Sequence, residues 1–260
     1  MIPEDLDILL LCHEFSGSQM QDAYEPFLIW IRNVYFSFYQ HMTPEKFIEA
    51  GNIYPLQRSL FSSYLKEKQC NREEELMLCE MDYECSRMNQ SILAMLKYIA
   101  EDHPIICVLN NAHCAPKSTI DLLMTMVNST PAGNLGFIIC FNEVSQIMPY
   151  VKEAWKTLVK QVEKNLHLID WGTTERQKTV APTVQFTPQP LAFQSYIAMI
   201  HNMVHTLAIE QANYYLAILY HKLEVERAFV VRELKEQILY LYSLTTIYLG
   251  DYSKALLLLG

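Results

Sequence analysis

The stretch that decides the fold runs from Ile105 to Leu123 and reads IICVLNNAHCAPKSTIDLL. It opens with five consecutive apolar residues, Ile105–Leu109, which is the length of a strand buried on both faces of a parallel sheet. A polar turn follows, and from about Ser118 to Val127 the sequence predicts a helix. A strand, a turn and a helix in this order predict one unit of an α/β protein.

Similar units lie on both sides of this stretch. Apolar runs at Ile8–Cys12 and Gly136–Phe141 predict two further buried strands, and Leu166–Ile169 predicts a short fourth one. Helical spacing of apolar residues predicts helices at about residues 26–39, 71–100 and 151–162. Strands that alternate with helices indicate a parallel sheet covered by helices on both faces, so the first part of the chain is predicted to be α/β.

The stretch resembles the Walker B region of STAND-type P-loop ATPases, which are AAA-related modules of bacterial signalling regulators. The resemblance is carried by the apolar strand, the following histidine and the start of the next helix, namely Ile106–Leu109, His113, Ser118, Thr119, Leu122 and Leu123. It extends over roughly residues 5–180. The resemblance implies a partial P-loop NTPase-like parallel sheet with flanking helices.

Four positions depart from the pattern of an active member of that family. Asn110 and Asn111 stand where the family has two acids, Pro116 replaces a third, and Asn142 replaces an arginine. Amide oxygens bring no negative charge to Mg²⁺ and accept no proton from water near pH 7. The sequence also contains no G-x-x-x-x-G-K-[ST] loop, whose backbone N–H groups would hold the phosphates. We therefore expect no ATP hydrolysis by this chain.

Candidate site residues are few. The resemblance implies a degenerate nucleotide site at Asn110, Asn111 and His113, with ATP and Mg²⁺ as ligands only if a phosphate-binding loop lies upstream. No catalytic residue and no metal site are predicted. His201 and His205 have helical metal-ligand spacing but lack a third ligand, so a surface pair is expected. Two further pairs, Cys79 with Cys85 and His113 with Cys114, are expected to be packed side chains.

The last third of the sequence predicts helices alone. The strand pattern lapses near Pro182, Pro188 and Pro190, which divides the chain into an α/β domain (residues 1–180), a linker (181–190) and an all-α helical-repeat segment (191–260). Residues 250–256, GDYSKAL, resemble the turn and second helix of a tetratricopeptide repeat; a generic helical hairpin is the alternative. Gly250 is expected to turn the chain, Ala255 to sit at a close helix contact, and three larger residues to pack on the preceding helix: Tyr252, Leu256 and Leu259. Both ends of the chain are expected to be cut.

Composition narrows the classes of function. The net charge of −9 argues against broad contact with nucleic acid or anionic membrane. No apolar run reaches the roughly 18 residues of a membrane span, and the acidic start at Met1–Asp5 is unlike a signal peptide. Seven cysteines without a framework are expected to be free thiols in the cytoplasm. A stripe of four lysines from Lys152 to Lys164 is expected to be a solvated helix face.

Together these features predict a non-catalytic regulatory or scaffold part of a bacterial signalling protein that contacts a protein partner through its helical repeats. The family couples such modules to a GGDEF diguanylate cyclase or a DNA-binding output domain. An oligomer is left open. The alternative hypothesis is an ATP- or ADP-binding conformational switch whose phosphate-binding loop lies upstream, and a weaker one is an unrelated domain with a small-molecule pocket.

Overall fold

A computed structural model of the chain describes residues 8–70, 81–129, 133–141, 147–165, 186, 188–189, 192–224 and 230–259. In this part of the chain, three strands form a parallel sheet: β1 (Leu9–Glu14), β2 (Ile105–Asn110) and β3 (Leu135–Ile139), in the order β1-β2-β3. The three strands are those predicted from the apolar runs. The predicted fourth strand at 166–169 and most of the linker at 181–190 lie outside the described residues.

Ten helices account for most of the described chain. They are α1 (Phe27–Phe38), α2 (Pro44–Ala50), α3 (Pro55–Glu67), α4 (Met81–Asp102), α5 (Lys117–Asn128), α6 (Lys152–Asn165), α7 (Phe193–His205), α8 (Ile209–Glu224), α9 (Arg232–Tyr248) and α10 (Tyr252–Leu259). The first six are interleaved with the strands, and the described residues show no strand between the last four. The chain is therefore a mixed α/β protein with a small parallel sheet and a helical C-terminal portion, as the sequence predicts at this coarse level.

Local sequence explains where several helices begin and end. Thr43 caps α2 by accepting the backbone N–H of Lys46 at 3.4 Å, and Pro44 occupies the first turn, where its missing N–H leaves no bond unmade. α3 begins at Pro55 in the same way but was not predicted, because its mixed polar sequence gives a weak apolar period. Lys68 ends α3 in the left-handed conformation.

The described helices cover one face of the sheet, so the prediction that helices cover both faces was wrong for this part of the chain. Ile105, Cys107 and Leu109 of β2 are at most 1% exposed and belong to a continuous apolar core with α1, α4 and α5. The alternate residues of the flanking strands face the same way, because side chains along a strand alternate between faces. The same core continues into α7 and α8 through Phe193 and Tyr215, so the helical portion is packed onto the α/β portion.

The last helical hairpin differs from the prediction in its packing. Gly250 has φ +79° and turns the chain between α9 and α10, and Ala255 is buried, as expected. The prediction that Tyr252, Leu256 and Leu259 pack on α9 was wrong, because these side chains are 58%, 72% and 63% exposed. In the short α10, Ala255 is buried and Leu258 packs against the core. These two residues lie three apart on one face, which turns the other leucines outward.

Candidate functional site

The carboxyl ends of β1 and β2 form the edge where the sequence places the degenerate nucleotide site. Glu14 pairs in register with Asn110, so the two strands end at the same level. Asn111 then turns the chain with φ 55° in the left-handed conformation, which asparagine tolerates better than most residues. Its side-chain amide donates a hydrogen bond to Oε1 of Glu14 at 3.1 Å. This edge therefore carries a carboxylate that is already bonded to a neighbouring amide.

His113 does not share this solvent-facing position. It lies in a 3-10 turn, Ala112–Cys114, and its side chain is only 5% exposed. Burial lowers its pKa below the ordinary value of 6.5, which favours the neutral ring. By contrast, Asn110 and Asn111 are both exposed. The structure thus brings the two asparagines together at the edge and turns the histidine into the protein.

The charge at this edge is small. Asn110 and Asn111 are neutral, and Glu14 supplies the charge through a carboxylate that was not singled out from the sequence. Mg²⁺ in nucleotide sites is held by one or two carboxylates together with substrate phosphates. Within the described ranges, no group of three or more His, Cys, Asp or Glu side chains is placed to hold a metal ion. One amide-bonded carboxylate is a poor cation ligand set.

The loop that follows β1, residues 15–26, connects this edge to the rest of the molecule. Gln21 donates its side-chain amide to the carbonyl of Ser16 at 2.6 Å and, more weakly, to that of Cys114 at 3.4 Å. The backbone N–H of Tyr24 donates to the hydroxyl of Ser118 at the start of α5 at 3.1 Å. The loops after β1 and β2 are therefore held together by side-chain hydrogen bonds that are buried or partly buried.

Two amides from the helical portion complete the network. Gln211 of α8 donates to the carbonyl of Gln21 at 2.7 Å and accepts from the hydroxyl of Ser118 at 3.3 Å. Asn202 of α7 donates to Oδ2 of Asp22 at 2.8 Å and accepts the backbone N–H of Cys70 at 3.0 Å. Both amides reach the 15–26 loop, so this loop lies between the carboxyl edge of the sheet and the helices that follow the predicted linker.

Asp22 is the unusual member of the network. Its burial raises its pKa from 3.8 to about 7, against the opposing effects of hydrogen bonds from Asn202 and the backbone of Ala23. The neighbouring carboxylate of Glu25 also raises it, because two negative charges repel. A carboxyl group that changes charge near neutral pH thus lies at the contact between the loop and α7.

Within the part of the chain that the structure describes, the other histidine and cysteine pairs considered from the sequence belong to no metal-binding group. His201 and His205 lie on α7 with ring centroids 6.4 Å apart, and no third ligand stands with them among the residues that the structure describes. Cys85 is partly buried and its thiol contacts the carbonyl of Leu207, while Cys79 lies outside the described residues. The lysines at 152, 156, 160 and 164 are all exposed, which agrees with a solvated face.

The sequence pointed to part of this region and missed the rest. Glu14 was missed because the apolar run ends at Cys12, although β1 continues two residues further in alternation. Asp22 and Asn202 are 180 residues apart in sequence, so no local pattern connects them. Asn142, expected to replace a family arginine, lies outside the described residues.

Fold and site together define a mixed α/β protein with an exposed amide-rich edge and a buried polar loop that joins two parts of the chain. No protein-family model matches the sequence, and neither curated proteins nor solved structures gave a match. Among the described residues, no helix is both long and apolar enough to cross a membrane.

Proposed function

We propose that this chain is a non-catalytic regulatory or scaffold part of a signalling protein and that it acts by protein–protein contact. The observation that carries the proposal is the hydrogen bond from Asn111 to Glu14, which engages the carboxylate at the edge where an ATPase would hold Mg²⁺ and orient water. The proposal also includes a STAND-like module, tetratricopeptide-like helices and a GGDEF or DNA-binding output domain. These three parts rest on the sequence resemblance alone.

The apolar surface of the last hairpin supports the contact role. Leu256, Leu257 and Leu259 of α10 are 72%, 83% and 63% exposed, and Tyr240 of α9 is also exposed. Large exposed apolar side chains that cluster on one element are more typical of an interaction surface than of a solvated helix. We propose that the protein partner binds this surface. Because the net charge of the chain is −9, we propose no direct contact with nucleic acid.

Calorimetric titration with ATP and ADP in the presence of Mg²⁺, together with a phosphate-release assay, tests the non-catalytic part. We expect no saturable binding and no turnover. The matched variants are Asn111→Ala, which removes the amide from Glu14, and Asn128→Ala, which changes an exposed asparagine on α5. Saturable ATP binding that Asn111→Ala weakens and Asn128→Ala leaves intact would favour the nucleotide-switch alternative and refute the proposal.

The contact part has its own test. Sequencing the DNA on both sides of the coding frame shows whether an output domain is encoded next to this chain. If a cyclase domain is found, its product formation in the joined protein is measured for Leu256→Asp with Leu257→Asp and for a control, Glu49→Gln. We expect the leucine changes to alter regulation and the control to leave it unchanged; equal behaviour would contradict a contact role for α10.

A further inference from the structure

The sheet has a second face that the described helices do not cover. It is formed by the alternate residues of the three strands, and we call it the bare face: Leu10, Cys12, Ile106, Val108 and Ile138. Leu10 and Ile138 are 62% and 51% exposed. Parallel sheets in α/β proteins are normally apolar and covered on both sides, so an exposed apolar face on such a sheet is unusual.

The topology explains why this face is bare. The strand order β1-β2-β3 means that both connections step across the sheet in the same direction. Since crossover connections between parallel strands are right-handed, two steps in one direction place their helices on the same face. The helix after β3 also packs against α5 on that covered side. Nothing in the described connections therefore brings a helix to the bare face.

The size of the bare face sets what can cover it. Three strands about 4.8 Å apart and roughly five residues long make a face of about 14 Å by 17 Å. A stable interface between two folded proteins needs on the order of 800 Å² from each partner, several times this area. An α-helix about 10 Å in diameter and roughly 12 residues long matches the dimensions.

The polarity and charge of the bare face and its surroundings indicate which kind of helix would bind there. The bare face is apolar in the middle and ends at the exposed carboxylate of Glu14, and the chain carries a net charge of −9. A helix with an apolar stripe at i, i+3, i+4 and i+7 and with lysines on its other side would fit both features. We propose that the bare face is a docking site for a basic amphipathic helix of a partner protein, a site separate from the α10 surface and independent of the proposed function.

Cys12 of β1 provides a reporter within this site. Its thiol is exposed on the bare face, whereas Cys107 on the covered face is buried and burial raises its pKa to about 12. A thiol reagent such as N-ethylmaleimide therefore distinguishes the two faces, because the thiolate is the reacting form. The rate of modification at Cys12, read by peptide mass spectrometry, reports whether the face is covered.

The probe is a fluorescein-labelled 16-residue helix with a leucine stripe and lysines elsewhere, and its control has the same composition with the stripe scrambled. We expect the striped peptide to bind, seen by fluorescence anisotropy, and to slow Cys12 modification at least fivefold, while the scrambled peptide does neither. Ile138→Asp should abolish both effects, and Leu257→Asp on α10 should preserve them, since both substitutions place a charge at an exposed apolar site.

Each other outcome overturns the proposal. Slow Cys12 modification in the isolated chain would mean that the face is already covered, and sedimentation would tell a second copy from a segment of the same chain. If the striped and scrambled peptides bind equally well and slow Cys12 modification equally, charge alone explains their binding. Binding lost in Leu257→Asp and kept in Ile138→Asp would move the helix site to α10. Circular dichroism of both variants checks that they fold.

Discussion

Asn202 on α7 donates its side-chain amide to the carboxyl group of Asp22 across 2.8 Å, joining a helix near residue 200 to the loop that follows the first strand. The same amide group accepts the backbone N–H of Cys70 beyond the end of α3. One side chain thus fixes the relative positions of three segments that are far apart in sequence. A group in this position is expected to affect stability more strongly than its size suggests.

The half-buried carboxyl group of Asp22 predicts how stability depends on pH. Its folded pKa of about 7 lies above the value of 3.8 for an unperturbed aspartate, so between these values the folded chain keeps a proton that the unfolded chain has released. This contribution to stability is present at low pH and is lost as the pH rises through 7. From pH 5 to pH 8 we expect it to fall by about 1–2 kcal/mol, a value discounted for the partial exposure of the side chain.

Urea unfolding at several pH values measures this loss. Asp22→Asn removes the titrating group, so its unfolding free energy should decline less between pH 5 and pH 8 than that of the unchanged chain. Glu49→Gln removes an exposed carboxylate on α2 and should keep the original slope. If the Asp22→Asn and Glu49→Gln curves run parallel, Asp22 does not titrate in this range.

Two substitutions of Asn202 distinguish its role as a hydrogen-bond donor from its role as an acceptor. Asn202→Ala leaves the Asp22 carboxyl and the Cys70 N–H without this partner, and we expect a loss of about 2–3 kcal/mol in unfolding free energy. Asn202→Asp places a second carboxyl beside Asp22, so its deficit should grow as the pH rises. Asn128→Ala on the surface of α5 is the control and should stay within about 0.5 kcal/mol. A loss no larger than the control's would show that the contact contributes little.

Ser118 connects three elements through one hydroxyl. It accepts the backbone N–H of Tyr24 and donates to Gln211, and both bonds are buried. Ser118→Ala should cost about 1–3 kcal/mol in urea unfolding, because a buried N–H loses its acceptor. Thr125→Ala, on the same helix, removes a hydroxyl that donates to the carbonyl of Asp121 in the preceding turn, and a smaller change is expected. Equal losses in the two variants would show that the hydrogen bonds of Ser118 to Tyr24 and Gln211 contribute no more than an ordinary helix hydroxyl, since helix propensity favours alanine in both cases.

Gly250 turns the last hairpin with a backbone conformation that L-residues avoid. A Cβ added there would meet no atom within 4 Å, so the cost of Gly250→Ala is conformational and should be about 1 kcal/mol. Gly133 also has open space for a Cβ but no positive φ, and Gly133→Ala should therefore be neutral or slightly stabilising. Thermal unfolding of both variants makes the comparison; a neutral Gly250→Ala would mean that the turn relaxes.

Local signals in the sequence were enough for the sheet and for most helices. Ile105–Leu109 was recognisable as a strand because it is uniformly apolar, but the prediction that both of its faces are buried was wrong, since Ile106 and Val108 are only half-buried. Thr43 with Pro44 marked the start of α2. The orientation of α10 was not recoverable, since four consecutive leucines leave no apolar period to show which side faces the protein. The same holds for long-range pairs such as Asp22 and Asn202, which only the folded chain brings together.

The amides that tie α7 and α8 to the 15–26 loop have a consequence for salt. Hydrogen bonds from Asn202 and Gln211 are not screened as exposed ion pairs are, because the donor groups carry no net charge. The ion pair between Lys117 of α5 and Glu210 of α8 also joins the α/β portion to the helical portion, at 3.2 Å. Both side chains are partly exposed, so its contribution to stability is small. We therefore expect α7 and α8 to remain packed against the loop at high ionic strength. Contacts made by ion pairs alone would weaken under the same conditions.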